Sequence, residues 1–74
     1  MSKLPILSGL ETIKILHKIG YEIDHQTGSH VILRNMKPPF RRATVPNHKE
    51  IAKGTLLSII KQIGLTKEEF IQLL

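Results

Sequence analysis

The sequence predicts a single α+β domain in which two longer helices pack on one face of a three-stranded antiparallel sheet, followed by a short C-terminal helix. Three observations predict this fold. Two segments repeat apolar residues at helical spacing and end at a glycine. Between them lie three short segments rich in strand-forming residues, and their connections are too short for crossover helices. The chain has 74 residues, which suffices for one core only.

Helix one is predicted over residues 9–19. Ser8 and Glu11 have the spacing of a capping box, which marks its beginning. Gly20 supplies a left-handed stop at its end. Between the two, apolar residues recur at helical spacing and predict the buried face. They are Leu10, Ile13, Leu16 and Ile19.

The three strands are predicted over residues 21–26, 30–35 and 40–45. In the first, Tyr21, Ile23 and His25 alternate with polar residues, as in a half-buried strand. Residues 27–29 form the turn into the second strand. Residues 35–39 form a loop, because two consecutive prolines cannot join a ladder, and Pro46 ends the third strand.

The second half of the chain is predicted to hold a second helix whose start is ambiguous. Asn47 and Glu50 have capping-box spacing, so one helix interrupted near Gly54 is possible. A short turn followed by a helix capped around Thr55 is preferred, because a glycine inside a helix costs about 1 kcal/mol. Gly64 ends this helix. Its apolar face comprises Leu56, Ile59, Ile60 and Ile63.

A third capping box, Thr66 to Glu69, predicts the short terminal helix with Phe70, Leu73 and Leu74 on one apolar side. With so few aromatic residues, the core must consist mainly of isoleucine and leucine. Both longer helices must bury these residues on one side of the sheet, which leaves the other sheet face open for a partner or substrate. The same element order occurs in double-stranded-RNA-binding domains.

Composition narrows the class of partner and the compartment. Eleven Lys and Arg against six acidic residues give a formal charge of +5, which indicates a polyanion, nucleic acid first, although solubility alone is the alternative explanation. Cysteine is absent, so disulfides and thiolate metal sites are excluded. No apolar run approaches the ~20 residues of a membrane span. Residues 1–7 are too short for a signal peptide, so a cytoplasmic protein is expected.

His30 is the strongest candidate for proton-transfer chemistry. It follows the Gly28-Ser29 turn and precedes a β-branched run, so it stands where strand two begins, at an edge position close to solvent. Imidazole can give and take a proton near neutral pH. The turn can bring backbone N–H groups near a phosphate. We therefore predict a catalytic role for His30, against the alternative of a strand-end histidine that only hydrogen-bonds a neighbour.

The other three histidines are given structural roles. His25 precedes the turn and can lie close to His30 across the hairpin, His17 lies on helix one, and His48 lies near the predicted start of helix two. None of them has HExxH or paired spacing, so no metal site is predicted. The sequence identifies no second proton carrier.

Four basic residues around the loop between strands two and three are predicted to bind phosphate. Guanidinium groups bind phosphate oxygens bidentately, although arginines here can also protect an exposed strand edge from aggregation. Three aromatic residues are too few for a base-stacking platform. The four basic residues are Arg34, Lys37, Arg41 and Arg42.

Several segments together resemble the HicA (YcfA-like) family of bacterial toxins, from about Leu4 to the C-terminus. The Gly-Ser-His segment and the Pro-Asn-His-Lys-Glu to Lys-Gly-Thr-Leu segments are specific in combination, whereas residues 36–39 look less typical of the family. The matching segments are Gly20-Tyr21-Glu22, Gly28-Ser29-His30, residues 45–51, Lys53-Gly54-Thr55-Leu56 and Gln62-Ile63-Gly64-Leu65.

The resemblance implies an mRNA interferase of a type II toxin–antitoxin pair over residues 1–74, with a double-stranded-RNA-binding-domain-like fold. It implies a catalytic histidine at His30 and a HicB-type antitoxin that blocks the active site. Metal-independent RNA cleavage with no cofactor is expected, and Gly28, Ser29 and nearby cations would hold the phosphate. Two other hypotheses remain open. The protein can be a non-catalytic RNA-binding module, or an interaction protein whose open sheet face binds another chain.

Overall fold

The computed structural model describes residues 3–74. Met1 and Ser2 lie outside this range. They begin residues 1–7, the segment predicted to be too short for a signal peptide. The elements follow the predicted order, and their bounds in chain order are α1 Gly9–Lys18, β1 Tyr21–Thr27, β2 His30–Asn35, β3 Arg42–Pro46, α2 Lys53–Gln62 and α3 Lys67–Ile71.

The sheet is an antiparallel meander with strand order β1-β2-β3, as predicted. Val31 and Leu33 of β2 and Val45 of β3 point into the core that both longer helices cover. The alternate residues of the same strands are half-buried or exposed apart from Pro46, and His30 and Thr44 are among the exposed ones. The prediction of one covered and one open sheet face is therefore confirmed.

Helix α1 begins and ends as predicted, but its buried face is rotated. The Ser8–Glu11 capping box is present, and Gly20 has φ +99° after the last turn. Thr12, Ile15 and Leu16 are buried, whereas Leu10 is 62% exposed, so the predicted face is wrong at Leu10. Thr12 can be buried because its hydroxyl donates a hydrogen bond to the Ser8 carbonyl at 2.9 Å.

Strand β1 is correct in position but wrong in its predicted burial. Only Tyr21 is buried, while Ile23 is 59% exposed on the outer strand of the sheet. A β-bulge between Ile23 and His25 shifts the register, so that His25 opposes Ile32. Without the bulge His25 would oppose the core residue Val31.

Strand β3 begins at Arg42, two residues later than predicted. Phe40 has φ +58°, a left-handed conformation that cannot continue a strand, and its N–H donates to the Lys37 carbonyl at 2.8 Å. Pro46 is the last residue of the strand instead of its terminator, and it pairs with His30. Proline is tolerated there because β3 is an outer strand.

Helix α2 begins at Lys53 after a turn, so the preferred prediction of a turn followed by a helix is confirmed and the alternative of a helix from Asn47 is wrong. The N-cap is Ala52, three residues before the predicted cap at Thr55. Gly54 lies in the first turn, where a glycine is less costly than in the helix interior. The predicted apolar face is confirmed, since all four of its residues are buried, and Gly64 ends the helix with φ +76°. That face consists of Leu56, Ile59, Ile60 and Ile63.

Helix α3 has the predicted Thr66–Glu69 capping box and places Phe70 in the core with no exposed surface. Leu73 packs against the core in part, while Leu74 is 53% exposed. The core is mainly isoleucine and leucine, as predicted, together with the two buried aromatic residues Tyr21 and Phe70. Among residues 3–74, the helices are all too short to cross a bilayer.

Candidate functional site

A groove of about 470 Å³ opens beside His30. Its walls come from the open face of the sheet, from the connection between β3 and α2, and from α2 itself. The outer edge of β3 is closed there by Gln62, whose side-chain oxygen accepts a hydrogen bond from the Thr44 N–H at 2.9 Å. The lining residues are His30, Thr44, Pro46, His48, Glu50, Ala52, Thr55 and Gln62.

His30 is the first residue of β2, which is the central strand and not an edge strand. It opposes Thr27 on one side and Pro46 on the other. The two-residue turn before it has Gly28 at φ +56°, the left-handed conformation that tight hairpin turns require at this position. His30 is thus exposed at the end of the sheet, close to solvent as predicted.

The turn is held against the segment that follows β3. The Asn47 N–H donates to the Ser29 carbonyl at 2.6 Å, and the His48 N–H donates to the Pro46 carbonyl at 2.9 Å. From the other side, the Gly9 N–H at the start of α1 donates to the His48 carbonyl at 2.8 Å. The turn before β2, the segment after β3 and the start of α1 therefore hold the backbone around His30 and His48 in place.

The four histidines fall into two pairs with different surroundings. Nδ1 of His17 lies 2.9 Å from a Glu22 carboxylate oxygen, and Nδ1 of His25 lies 2.7 Å from Asp24. Within residues 3–74, the rings of His30 and His48 have no hydrogen-bond partner, and both line the groove. The carboxylate-bound histidines fit the structural roles predicted for them, whereas His48 shares the setting of His30.

The open sheet face carries both signs of charge beside His25. The hydrogen bond from His25 is the main cause that lowers the pKa of Asp24, and the charges of Arg34 and Arg42 lower it further. Because Arg34 and Arg42 oppose one another across β2 and β3, their side chains leave the same face of the sheet.

The remaining predicted phosphate ligands lie apart from this arginine pair. The Arg41 guanidinium lies beside Gly64, since a Cβ built on that glycine would come within 2.9 Å of its central carbon. Lys37 is in the exposed loop after β2, where its N–H donates to the Asn35 side chain at 2.9 Å. The predicted cluster of four is therefore divided into a pair on the sheet and two separate residues.

The arginine pair is also distant from His30. Arg34 is four residues beyond His30 on the same strand, which corresponds to about 13 Å at the usual rise per residue. The backbone of this arginine pair is therefore well separated from that of His30 along the sheet.

A second depression of about 380 Å³ lies between α1 and β1 and has a mainly apolar lining that includes Ile13, Tyr21 and Ile23. Its only histidine, His17, is already bound to Glu22. The groove beside His30 is thus the better candidate for proton-transfer chemistry.

The sequence did not predict that His48, Glu50, Thr55 and Gln62 join His30 in one groove. A signal for His48 was available, however. In a meander the end of strand three opposes the beginning of strand two, so a residue shortly after Pro46 is expected to lie close to His30. The uncertain start of helix two concealed this relation.

Fold and site together define a basic α+β domain, folded like a double-stranded-RNA-binding domain, with a histidine-lined groove at one end of its sheet. Residues 9–65 match the family model described as the HicA toxin of bacterial toxin–antitoxin systems. The chain belongs to this family, and it is a toxin of a toxin–antitoxin system. No curated protein matches the sequence.

Membership confirms the resemblance and the predicted fold class, since the family has the double-stranded-RNA-binding-domain-like fold. The family is known for RNase activity. An RNA substrate and an antitoxin partner follow from membership in general terms. The matched range includes both the Gly-Ser-His turn and the segment that carries His48.

Proposed function

We propose that this toxin is an mRNA interferase, a metal-independent RNA endonuclease in which His30 acts as general acid or base. The observation that carries the proposal is the setting of His30. Its ring lines a solvent-open groove, has no partner among the described residues, and stands at the end of an open sheet face in a chain of the HicA family. Imidazole is suited to proton transfer at neutral pH.

The Gly28-Ser29 turn is proposed to hold the scissile phosphate through its backbone N–H groups. Apart from its chain neighbours, no atom of residues 3–74 lies within 4 Å of a Cβ built on Gly28, so a phosphate can approach the backbone of the turn closely. The Ser29 carbonyl is occupied by the Asn47 N–H, which keeps the turn in place. Fixed donors of this kind stabilise the charge that develops on a phosphorane.

Arg34 and Arg42 are proposed to bind the phosphates that flank the cleavage site along the RNA. Their distance from His30 along the sheet supports this division of roles. Arg41 and Lys37 would add charge at the rim near the loop between β2 and β3. The positive excess of the chain supports binding to a polyanion of any sequence.

The proposed antitoxin is of HicB type and inhibits the toxin by covering the groove beside His30. A cytoplasmic location is part of the same proposal, because mRNA is the substrate. The groove and the open sheet face offer one continuous surface to such a partner, since His30 and Thr44 belong to both.

The test is cleavage of a long mRNA by the purified toxin in the presence of a chelator. His30→Ala is compared with wild type, and His17→Gln is the matched control, because it alters a histidine outside the groove. We expect fragmentation by wild type and by His17→Gln, and a rate lower by about 10²–10⁴-fold for a folded His30→Ala protein.

Two results would reject the proposal. Full cleavage by His30→Ala would assign the activity to another residue. RNA that is bound but left intact by the wild-type protein would instead identify an RNA-binding module. Dependence of cleavage on a divalent ion would reject the metal-independent mechanism alone.

A further inference from the structure

Resting on the proposed function, we infer that His48 is the second proton carrier of this site and takes the role complementary to that of His30. Both imidazoles line the same groove, and neither is engaged by another side chain within residues 3–74. RNA cleavage requires two proton transfers, for which the proposed function identifies only one group. His48 supplies the other from within the same groove.

The backbone holds the two histidines in a fixed relation. Pro46 pairs with His30 across the sheet, and His48 follows Pro46 by two residues. Hydrogen bonds fasten this segment at both ends, from Asn47 to the Ser29 carbonyl and from Gly9 to the His48 carbonyl. The arrangement is therefore built into the meander and α1 and does not depend on a mobile loop tip.

The chemistry balances with two imidazoles. The neutral ring accepts the proton of the ribose 2′-OH, and the 2′-oxygen forms a bond to phosphorus. The P–O5′ bond breaks, and the protonated ring gives its proton to the departing O5′. The products are a 2′,3′-cyclic phosphate and a 5′-hydroxyl, with no metal, oxidant or water consumed in this step.

The remaining titratable group of the groove is Glu50. A carboxylate beside a scissile phosphodiester repels it, and a proton donor to O5′ at neutral pH is better supplied by an imidazole. The other lining residues Thr44, Thr55 and Gln62 can hydrogen-bond RNA but do not exchange protons at neutral pH. His48 is thus the group in the groove that fits the missing role.

The experiment measures single-turnover cleavage of two RNA substrates by wild type, His30→Gln, His48→Gln and the control His17→Gln. One substrate has a normal linkage, and the other has a 5′-bridging sulfur at the scissile position, whose departure needs no general acid. RNA affinity and thermal unfolding are measured for each variant, and Glu50→Gln is included to test the carboxylate.

We expect His48→Gln to cleave the normal RNA about 10²–10⁴-fold more slowly than wild type, with RNA affinity and unfolding temperature nearly unchanged. The sulfur substrate should restore cleavage by one of the two variants, His30→Gln or His48→Gln, and not by the other. The restored variant lacks the acid, and the other lacks the base. The wild-type rate should show a bell-shaped pH profile that loses one limb in each variant.

Several results would overturn the inference while the proposed function stands. One is cleavage by His48→Gln at the wild-type rate. Another is a slower rate in His48→Gln that weaker RNA binding or unfolding explains entirely. The third is a loss of cleavage rate in Glu50→Gln as large as in His48→Gln, with the sulfur substrate restoring neither histidine variant. If wild type leaves RNA intact under all conditions, the proposed function itself fails and the inference falls with it.

Discussion

At the scale of single residues, the closest packing near the candidate site is at Gly9. A Cβ built there would overlap the Pro46 carbonyl oxygen and lie 3.0 Å from the Asn47 Cα. These are backbone atoms of the segment that carries His48, and they cannot rotate away. Alanine favours a helix over glycine by up to about 1 kcal/mol, but overpacking against backbone costs about 1–3 kcal/mol.

We therefore expect Gly9→Ala to lower the free energy of unfolding and to slow RNA cleavage, because it displaces the segment opposite His30. Gly54→Ala is the matched control, since no other part of the described chain lies within 4 Å of a Cβ built there and Gly54 is exposed in the first turn of α2. The control should gain about 0.4–1 kcal/mol. Urea unfolding measures the free energy of unfolding of both variants. Equal stabilisation by the two substitutions would contradict the packing at Gly9.

The site residues differ in how well the local sequence predicts their role. His30 is identifiable because a glycine-serine turn and a β-branched run mark its position locally. His48 was missed because its neighbours along the chain suggested a helix cap, although the predicted meander already brings the end of β3 beside His30. Arg41 was grouped with Arg42 because they are adjacent, yet successive residues of an extended chain point to opposite sides.

At the scale of elements, the beginning of α1 is stabilised by a reciprocal cap that depends on pH. The Glu11 carboxylate accepts the Ser8 N–H at 2.9 Å, and the Glu11 N–H donates to the Ser8 hydroxyl. The first of these bonds is the main cause that lowers the pKa of Glu11 below its ordinary value of 4.5. The charged cap therefore stabilises the fold above pH 4.5, and this contribution disappears as pH falls through the lower folded-state pKa.

Glu11→Gln should retain a capping acceptor but lose this titration. We expect the unfolding midpoint of wild type to fall more steeply than that of Glu11→Gln as pH is lowered from 5 to about 3. Thermal unfolding at a series of pH values measures the difference. Glu68→Gln is the control, because its side chain has no capping bond among the described residues, and parallel curves for wild type and Glu11→Gln would contradict the expectation.

Elements were predicted well where local chemistry determines them. The caps at Ser8 and Thr66 and the stops at Gly20 and Gly64 are all formed within a few residues. Burial within β1 was predicted poorly, because Ile23 is 59% exposed on this outer strand and the bulge after it places His25 opposite Ile32 on the open face. The alternative start of α2 at Asn47 is wrong, because the Asn47 N–H binds the turn at Ser29 and is not available for a capping box.

Helix α3 shows how much a short element can contribute to the fold. Phe70 has no exposed surface, although the helix lies beyond the residues that match the family. Phe70→Ala should lower the free energy of unfolding by about 3–5 kcal/mol, a large fraction of the ~5–15 kcal/mol typical of small domains. Urea unfolding tests this, with Leu74→Ala, whose side chain is 53% exposed, as the control expected to change stability by less than ~0.5 kcal/mol.

At the scale of the whole molecule, the separation of a covered and an open sheet face follows from connection lengths alone. Three strands joined by short turns must form a meander, and two helices with one apolar side each must cover the same face. The sequence could therefore predict the fold and the existence of an open face. It could not predict the groove, because that depends on how α2 lies beside β3 and closes its edge through Gln62.

The distribution of charge over the molecule makes a last prediction about how RNA binds. If RNA lies along the open face, Arg34→Ala and Arg42→Ala should each reduce the slope of log affinity against log salt by about one, because each removes about one phosphate contact. Lys14→Ala removes the same charge from the exposed surface of α1 and should leave the slope unchanged. Cleavage at saturating RNA should stay near the wild-type rate in the arginine variants, since Arg34 lies about 13 Å from His30 along β2 and Arg42 is its partner on β3. An equal loss of slope in Lys14→Ala would mean that binding follows net charge and not this face, whereas a collapse of the saturated rate would place the arginines at the reacting phosphate.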